Sequence, residues 1–172
     1  MSPVPSDQQL WQSLCRGDAR AFEALYQEHA ARLRSFLRQY LGDAQTAQDI
    51  TQEVFLALWR NPNGFDPGRG TLRAYIFGIA RKRVADWWRH HPPADAPQSG
   101  PAVADSERTA LLADALAQLE PGVRGLLWLR EVEGYSYVEL AEILDISVGT
   151  VKSRLFAARE ALRRLWHSRP RK

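Results

Sequence analysis

The sequence predicts an all-α protein of two small helical domains, residues 1–91 and 107–172, joined by a flexible proline-rich linker at 92–106. Three observations carry this expectation. Apolar residues recur at three- and four-residue spacing over most of the chain, which is the period of one helix face. The period-two alternation that marks strands is almost absent. Pro92, Pro93, Pro97, Gly100 and Pro101 crowd into a segment that cannot continue a helix and is expected to let the two units move independently. Each unit is short enough that only a small core is expected in it.

In the first domain a helix is expected over 6–15, and a second over 19–40 with Phe22, Leu25, Tyr26, Leu33, Phe36 and Leu37 as its apolar face. Gly42 and Asp43 stop it. The next helix, 44–60, buries Ala47, Ile50, Val54, Ala57 and Leu58 and leaves Asp49, Gln52 and Glu53 together on its polar side. By spacing alone those three residues form an ordinary solvated face. NPNGFDPGRG, residues 61–70, is a loop or series of turns. A helix resumes over 71–90 with Phe77, Ile76, Ile79, Ala80 and Val84 inward. It interleaves Arg73, Arg81, Lys82, Arg83 and Arg89 with Tyr75, Trp87 and Trp88, against one acid, Asp86. Basic groups follow a phosphate chain and aromatic faces stack on unpaired bases, so this mixture suits single-stranded nucleic acid. Two adjacent tryptophans cannot both face inward, so at least one is partly exposed.

The second domain contains SYVELAEILDISVGTVKSRLFAAREALRRL, residues 136–165, which reads as two helices joined by a short turn. Ser136 and Glu139 form a capping box, so a helix starts at Tyr137 with Leu140, Ala141 and Leu144 inward. Asp145, Ile146 and Ser147 make the turn, and Ser147 caps the next helix. There Val151, Leu155, Ala158, Leu162 and Leu165 form one stripe. Gly149, Ser153, Phe156 and Ala157 point away from it, flanked by Thr150, Lys152, Arg154 and Arg159. Such a face suits a DNA major groove: small at the front, with hydroxyls and cations for bases and phosphates. Phe156 either meets a thymine methyl or sugar or packs on a neighbouring helix; spacing leaves both open. From 105 to 145 nine acidic residues face three basic ones, whereas from Ser147 onward eight basic residues face only Glu160. The basic block coincides with the groove-facing helix, which strengthens the nucleic-acid reading beyond what a net charge of +3 gives.

Composition narrows the remaining classes. With 45% hydrophobic and 25% charged residues the chain is a folded globular type. No apolar run reaches the roughly 18 to 20 residues that span a bilayer, and the N-terminus lacks a basic and apolar leader, so a cytoplasmic protein without direct membrane insertion is expected. A lone cysteine, Cys15, excludes an internal disulfide and is expected to be buried. No histidine has ligand-like spacing, and no phosphate loop, nucleophile elbow or paired carboxylate appears. No catalytic residue, metal or cofactor is therefore expected.

Taken together, one groove-reading helix and one strand-stacking helix resemble the equipment of a bacterial RNA polymerase sigma factor of the extracytoplasmic-function (ECF) type. DAQTAQDITQEVFLALWR, residues 43–60, is similar to the family's helix that docks on the clamp helices of the largest polymerase subunit. FDPGRGTLRAYIFGIARKRVADWWRH, residues 65–90, looks like the segment that recognises and melts the start-proximal minus 10 element. GYSYVELAEILDISVGTVKSRLFAAREALRRL, residues 134–165, is similar to the reader of the upstream minus 35 element.

The resemblance implies region 2 at 1–91 and region 4 at 107–172. Polymerase contacts would fall on Asp49, Gln52 and Glu53, and start-proximal contacts on Tyr75, Arg81, Lys82, Arg83, Trp87 and Trp88. Upstream contacts would fall on Thr150, Lys152, Ser153, Arg154, Phe156 and Arg159. It also implies, as partners, core polymerase including the flap of its second-largest subunit, duplex and single-stranded promoter DNA, and an anti-sigma factor through which the chain can be membrane-associated. Three positions depart from the pattern: Tyr75 stands for a common tryptophan, Ala157 for a common arginine, and Leu119-Glu120-Pro121 inserts an acid into a usual leucine-proline pair. The alternatives are a helix-turn-helix regulator acting without polymerase, and a nucleic-acid-modifying enzyme.

Overall fold

The computed structural model describes residues 6–91 and 114–168; the linker placed at 92–106 and the basic tail residues Arg169, Arg171 and Lys172 lie outside them. Among the described residues all regular structure is helical. The longer helices begin where a side chain takes over an orphan backbone N–H. Ser6 and Gln9 form a capping box that starts α1 (Asp7–Cys15), and Asp18 accepts from the Arg20 N–H at 2.9 Å to start α2 (Ala19–Leu41). Gly42, at φ +77°, closes α2. Asp43 then accepts from the Thr46 N–H at 2.7 Å and opens α3 (Ala44–Arg60). A single 3-10 turn, Pro62–Gly64, interrupts the loop before α4 (Leu72–His90), which Thr71 caps.

Beyond the linker, Glu120 accepts from the Gly122 and Val123 N–H groups to start α5 (Pro121–Glu131) with proline in the first turn. The acid inserted into the leucine-proline pair thus serves as a helix cap. The Ser136 capping box starts α6 (Tyr137–Leu144), and Ser147 accepts from the Thr150 N–H at 3.0 Å to start α7 (Val148–His167). Between them Asp145 adopts φ +55°, ψ +50°, a left-handed geometry that a short polar side chain tolerates. With Ile146 and the cap Ser147 it makes the turn between α6 and α7.

Sequence reasoning gives each unit its own core; in the structure the buried residues form one contiguous cluster. α2 lies at its centre, against α1, α3 and α5, while α6 lies on α4. Leu25, Leu33 and Leu37 on α2 are at most 1% exposed, each worth about 1.5 to 3 kcal/mol relative to exposure. α5 approaches α2 closely at Gly125, where an added Cβ would stand 2.3 Å from Tyr40 Cδ2 and 3.0 Å from Phe36 Cε2. Only glycine lets α5 settle on α2 there. Tyr135, in the α5–α6 connection, is fully buried with its ring 5.4 Å from Phe77 of α4.

This packing changes two expectations. In α6 the buried residues are Leu140 and Ile143, with Ala141 and Leu144 only half-buried, because the helix is pressed between α7 and α4 and turns a broader face inward. Cys15 is exposed, since the buried stripe of α1 runs through Trp11 and Leu14; its Sγ donates to the Pro62 carbonyl at 3.2 Å. Among the described residues no helix is long and apolar enough to cross a membrane.

Candidate nucleic-acid interface

The outer face of α7 is built as its spacing requires. Val151, Leu155 and Ala158 are at most 1% exposed and fix the helix on the core, so Lys152, Ser153, Arg154, Phe156, Ala157 and Arg159 face outward. Phe156 is 69% exposed, which removes the option that it packs on a neighbouring helix. A ring this exposed is a surface waiting for an apolar partner. Thr150 is half-buried, its hydroxyl 2.8 Å from that of Ser147, and Ser153 Oγ donates to the Thr150 carbonyl at 3.0 Å. Arg159 is already engaged: Nε and Nη2 donate to Glu131 Oε1 at 3.1 and 2.6 Å, and those hydrogen bonds push its guanidinium pKa up. Lys152 and Arg154 are the more available cations on this face.

The second candidate surface joins α4 to the 61–70 loop. Tyr75 is not a free stacking ring. It is half-buried in an aromatic cluster, 6.1 Å from Trp11 and 5.5 Å from Phe65, with Gly64 beneath its hydroxyl, and burial raises its pKa. Trp11 and Phe65 meet edge to face at 5.4 Å, so α1 props the loop against α4. Beside this cluster lies a cleft of about 360 Å³ lined by Phe65, Asp66, Arg69, Tyr75, Ile79 and Lys82, among others. Trp87 and Trp88 are both half-buried, 4.7 Å apart and edge to face, and Trp87 stacks on His91 at 4.5 Å. Lys82 and Arg83 are exposed, while Arg81 is half-buried with its Nε lacking a hydrogen-bond partner.

A third surface lies on α3. Asp49, Gln52 and Glu53 are exposed; Asp49 accepts from Gln45 at 2.9 Å, and Glu53 stands 3.9 Å from Arg83 of α4. Sequence reasoning missed the continuation of this patch. Leu56 is 49% exposed and Trp59 43%, seven residues beyond Asp49 and Gln52 and therefore on the same side. That spacing was the available signal. The result is an acidic and amide stripe extended by two apolar groups, which fits a basic, partly apolar partner.

Ion pairs across the two units share one polarity. Arg32 faces Glu133 at 3.8 Å, Arg73 donates to Glu139 at 2.9 Å, and Arg81 stands 3.8 Å from Asp145. Arg73 also covers the Tyr135 ring at 4.3 Å. Burial pushes the Tyr135 hydroxyl far up and also raises Glu139, but hydrogen bonds from Ser136 and Arg73 outweigh that and hold the Glu139 carboxyl below its usual range.

Residues 25–92 match the family model described as Sigma-70 region 2, and residues 109–162 match that described as Sigma-70, region 4. The ECF RNA polymerase sigma factor SigL of Mycobacterium tuberculosis is 36% identical over 157 residues, covering 85% of this chain and 89% of that protein. The RNA polymerase sigma-H factor of Pseudomonas aeruginosa is 32% identical over 177 residues and covers 91% of each chain. Among solved structures, CnrH in complex with the cytosolic domain of CnrY is similar with a TM-score of 0.75 and 27% identity, covering 95% of this chain and 99% of that one.

Proposed function

This chain belongs to the extracytoplasmic-function family of RNA polymerase sigma factors, which direct polymerase to promoters, and we propose how its surfaces divide that work. Region 2 spans 1–91 and region 4 spans 107–172. Asp49, Gln52 and Glu53 of α3, extended by Leu56 and Trp59, dock on the clamp helices of the largest polymerase subunit, and region 4 meets the flap of the second-largest. Thr150, Lys152, Ser153, Arg154, Phe156 and Arg159 read the upstream element in duplex DNA, with Arg159 first leaving Glu131.

Arg81, Lys82, Arg83, Trp87 and Trp88 capture the melted start-proximal strand beside the cleft. Tyr75 acts there as the wall of the cleft, fixed by Trp11 and Phe65. Polymerase carries out the chemistry, and this chain contributes binding free energy that favours the open promoter. Each base stacked on an aromatic ring adds about 1 to 3 kcal/mol to that preference. The chain works in the cytoplasm. An anti-sigma factor restrains it and gives it any membrane association; the similar CnrH is likewise seen in complex with the cytosolic domain of another protein, CnrY.

The observation that supports this reading over a regulator acting alone is the exposed stripe on α3, with Leu56 and Trp59 beside three polar docking residues. The test is to reconstitute the chain with core polymerase, transcribe genomic DNA and sequence the transcript start sites. Start sites sharing two spaced elements, absent without the chain, are expected. Tight operator binding by the chain alone, with no promoter-directed transcripts, overturns the reading.

A further inference from the structure

We propose that Glu131, at the end of α5, is a specificity-determining residue of the upstream reader: it holds Arg159 of α7 and gives it up only to a base that binds the guanidinium better than a carboxylate does. The proposal rests on assigning α7 to duplex DNA. Arg159 stands three residues beyond Phe156 and seven beyond Lys152, so it shares their outward side of the helix. Ala157 and Ala158 follow Phe156, which leaves Arg159 as the next cation after Arg154. Its Nε and Nη2 both donate to one oxygen of Glu131, at 3.1 and 2.6 Å.

The position works against an acid. Glu131 is the last residue of α5, where the helix dipole disfavours a carboxylate, and Arg159 supplies the compensating charge. Hydrogen bonds to Glu131 first, and then to Tyr137, favour the charged guanidinium. Tyr137 is itself fixed, since Arg130 covers its ring at 4.8 Å and donates to the Tyr135 carbonyl at 2.6 Å. Arg159 is thus held at a set place between α5 and the start of α6, whereas Lys152 and Arg154 stand exposed and take phosphates at any sequence.

The exchange sets the selectivity. A phosphate, present at every sequence, offers the kind of charged contact that Glu131 already gives, so Arg159 gains little by leaving for it. A guanine edge presents N7 and O6 to the guanidinium fork together, and only where that base stands. Glu131 therefore cancels the contact that any duplex offers and keeps the one that a particular base pair offers. Both side chains are about half exposed, 43% and 53%, so water takes over the carboxylate on release and the pair shifts an equilibrium by no more than about five-fold.

The test removes the carboxylate from the full-length chain. Anisotropy of a fluorescein-labelled mixed-sequence duplex of about 20 base pairs is followed from about 50 to about 200 mM KCl. Glu131→Ala is expected to bind about two- to five-fold tighter than the parent, with log K falling more steeply against log[KCl] by about 0.9, one phosphate contact more. Reconstituted holoenzyme then transcribes a barcoded library of one mapped promoter whose upstream element is randomised. There Glu131→Ala is expected to weaken the preference at one base pair at least about two-fold. Glu160→Gln removes an equal charge from α7 beside Arg159 and controls for charge alone.

Unchanged affinity and salt slope overturn the proposal, and so does a tighter variant whose library preference matches the parent's. Equal changes in Glu160→Gln also overturn it, because charge alone is then the cause. A parent holoenzyme without any upstream preference overturns the assignment of α7 along with the proposal. Should Glu131→Ala lower Tm by more than about 4 °C, Glu131→Gln, which keeps the side-chain length, replaces it with the same outcomes deciding.

Discussion

Replacing Asp49 and Glu53 together by alanine separates a docking role from a folding role, because the structure limits what the fold stands to lose. Asp49 makes one exposed hydrogen bond, from Gln45 one turn earlier, and such pairs contribute about 0.2 to 0.5 kcal/mol. Glu53 faces Arg83 at 3.9 Å with side chains 55% and 44% exposed, a surface pair worth about 0.2 to 1 kcal/mol. Alanine recovers part of this through its better helix propensity. The net loss of stability is therefore within about 1 kcal/mol, or about 2 to 4 °C in Tm.

On the proposed docking role each carboxylate makes a charged contact at a basic polymerase surface, worth about 1.5 to 3 kcal/mol. Losing two removes about 3 kcal/mol or more, at least a hundred-fold in Kd. Fluorescence competition against core polymerase measures the affinity, and thermal unfolding followed by circular dichroism measures the fold. Affinity within three-fold of the parent at an unchanged Tm refutes the docking role. A fall in Tm well beyond 4 °C refutes the energetic reasoning about α3.

Phe156→Ala is expected to leave Tm unchanged, since the ring is 69% exposed, but to cost the holoenzyme about 1 to 3 kcal/mol of discrimination at one upstream base pair; uniform loss across single-base promoter variants contradicts the base contact. Replacing Trp87 and Trp88 by alanine is expected to suppress permanganate reactivity of the melted strand more than duplex binding by the holoenzyme, and equal losses count against strand capture. Glu139 and Asp43, whose pKa values hydrogen bonds hold down, contribute stability that is complete above the unfolded carboxylate values of about 4. That contribution disappears as pH falls through their lower folded values. Urea midpoints measured between pH 5 and 2 are expected to fall, and to fall less steeply in Glu139→Gln; parallel slopes exclude the linkage.

The helices and most of their first residues were legible in the chain, because capping is local. Ser136 with Glu139, Ser147 before Thr150 and Gly42 at the end of α2 act within four positions of themselves. The outward face of α7 was legible for the same reason: three- and four-residue spacing sets which side is buried. The motifs, taken together, identified the family.

Less legible were the features that depend on what lies opposite. Tyr75, expected among the start-proximal contacts, is half-buried against Trp11 and Phe65, which come from α1 and the loop. Leu56 and Trp59 gave a spacing signal, but their exposure follows from the absence of a covering helix among the described residues. Cys15 shared a helical pattern with Leu14 yet fell just off the buried stripe.

The sequence by itself determined the helices, their caps, the outward face of α7 and the family. Tertiary structure alone decided that the two units share one core, with Gly125 admitting Tyr40 and with the acids of α6 lying on Arg73 and Arg81. Helix formation is governed by neighbours a turn away. The meeting of two helices far apart in the chain depends on matched shape and charge across their surfaces, which a linear pattern does not pair.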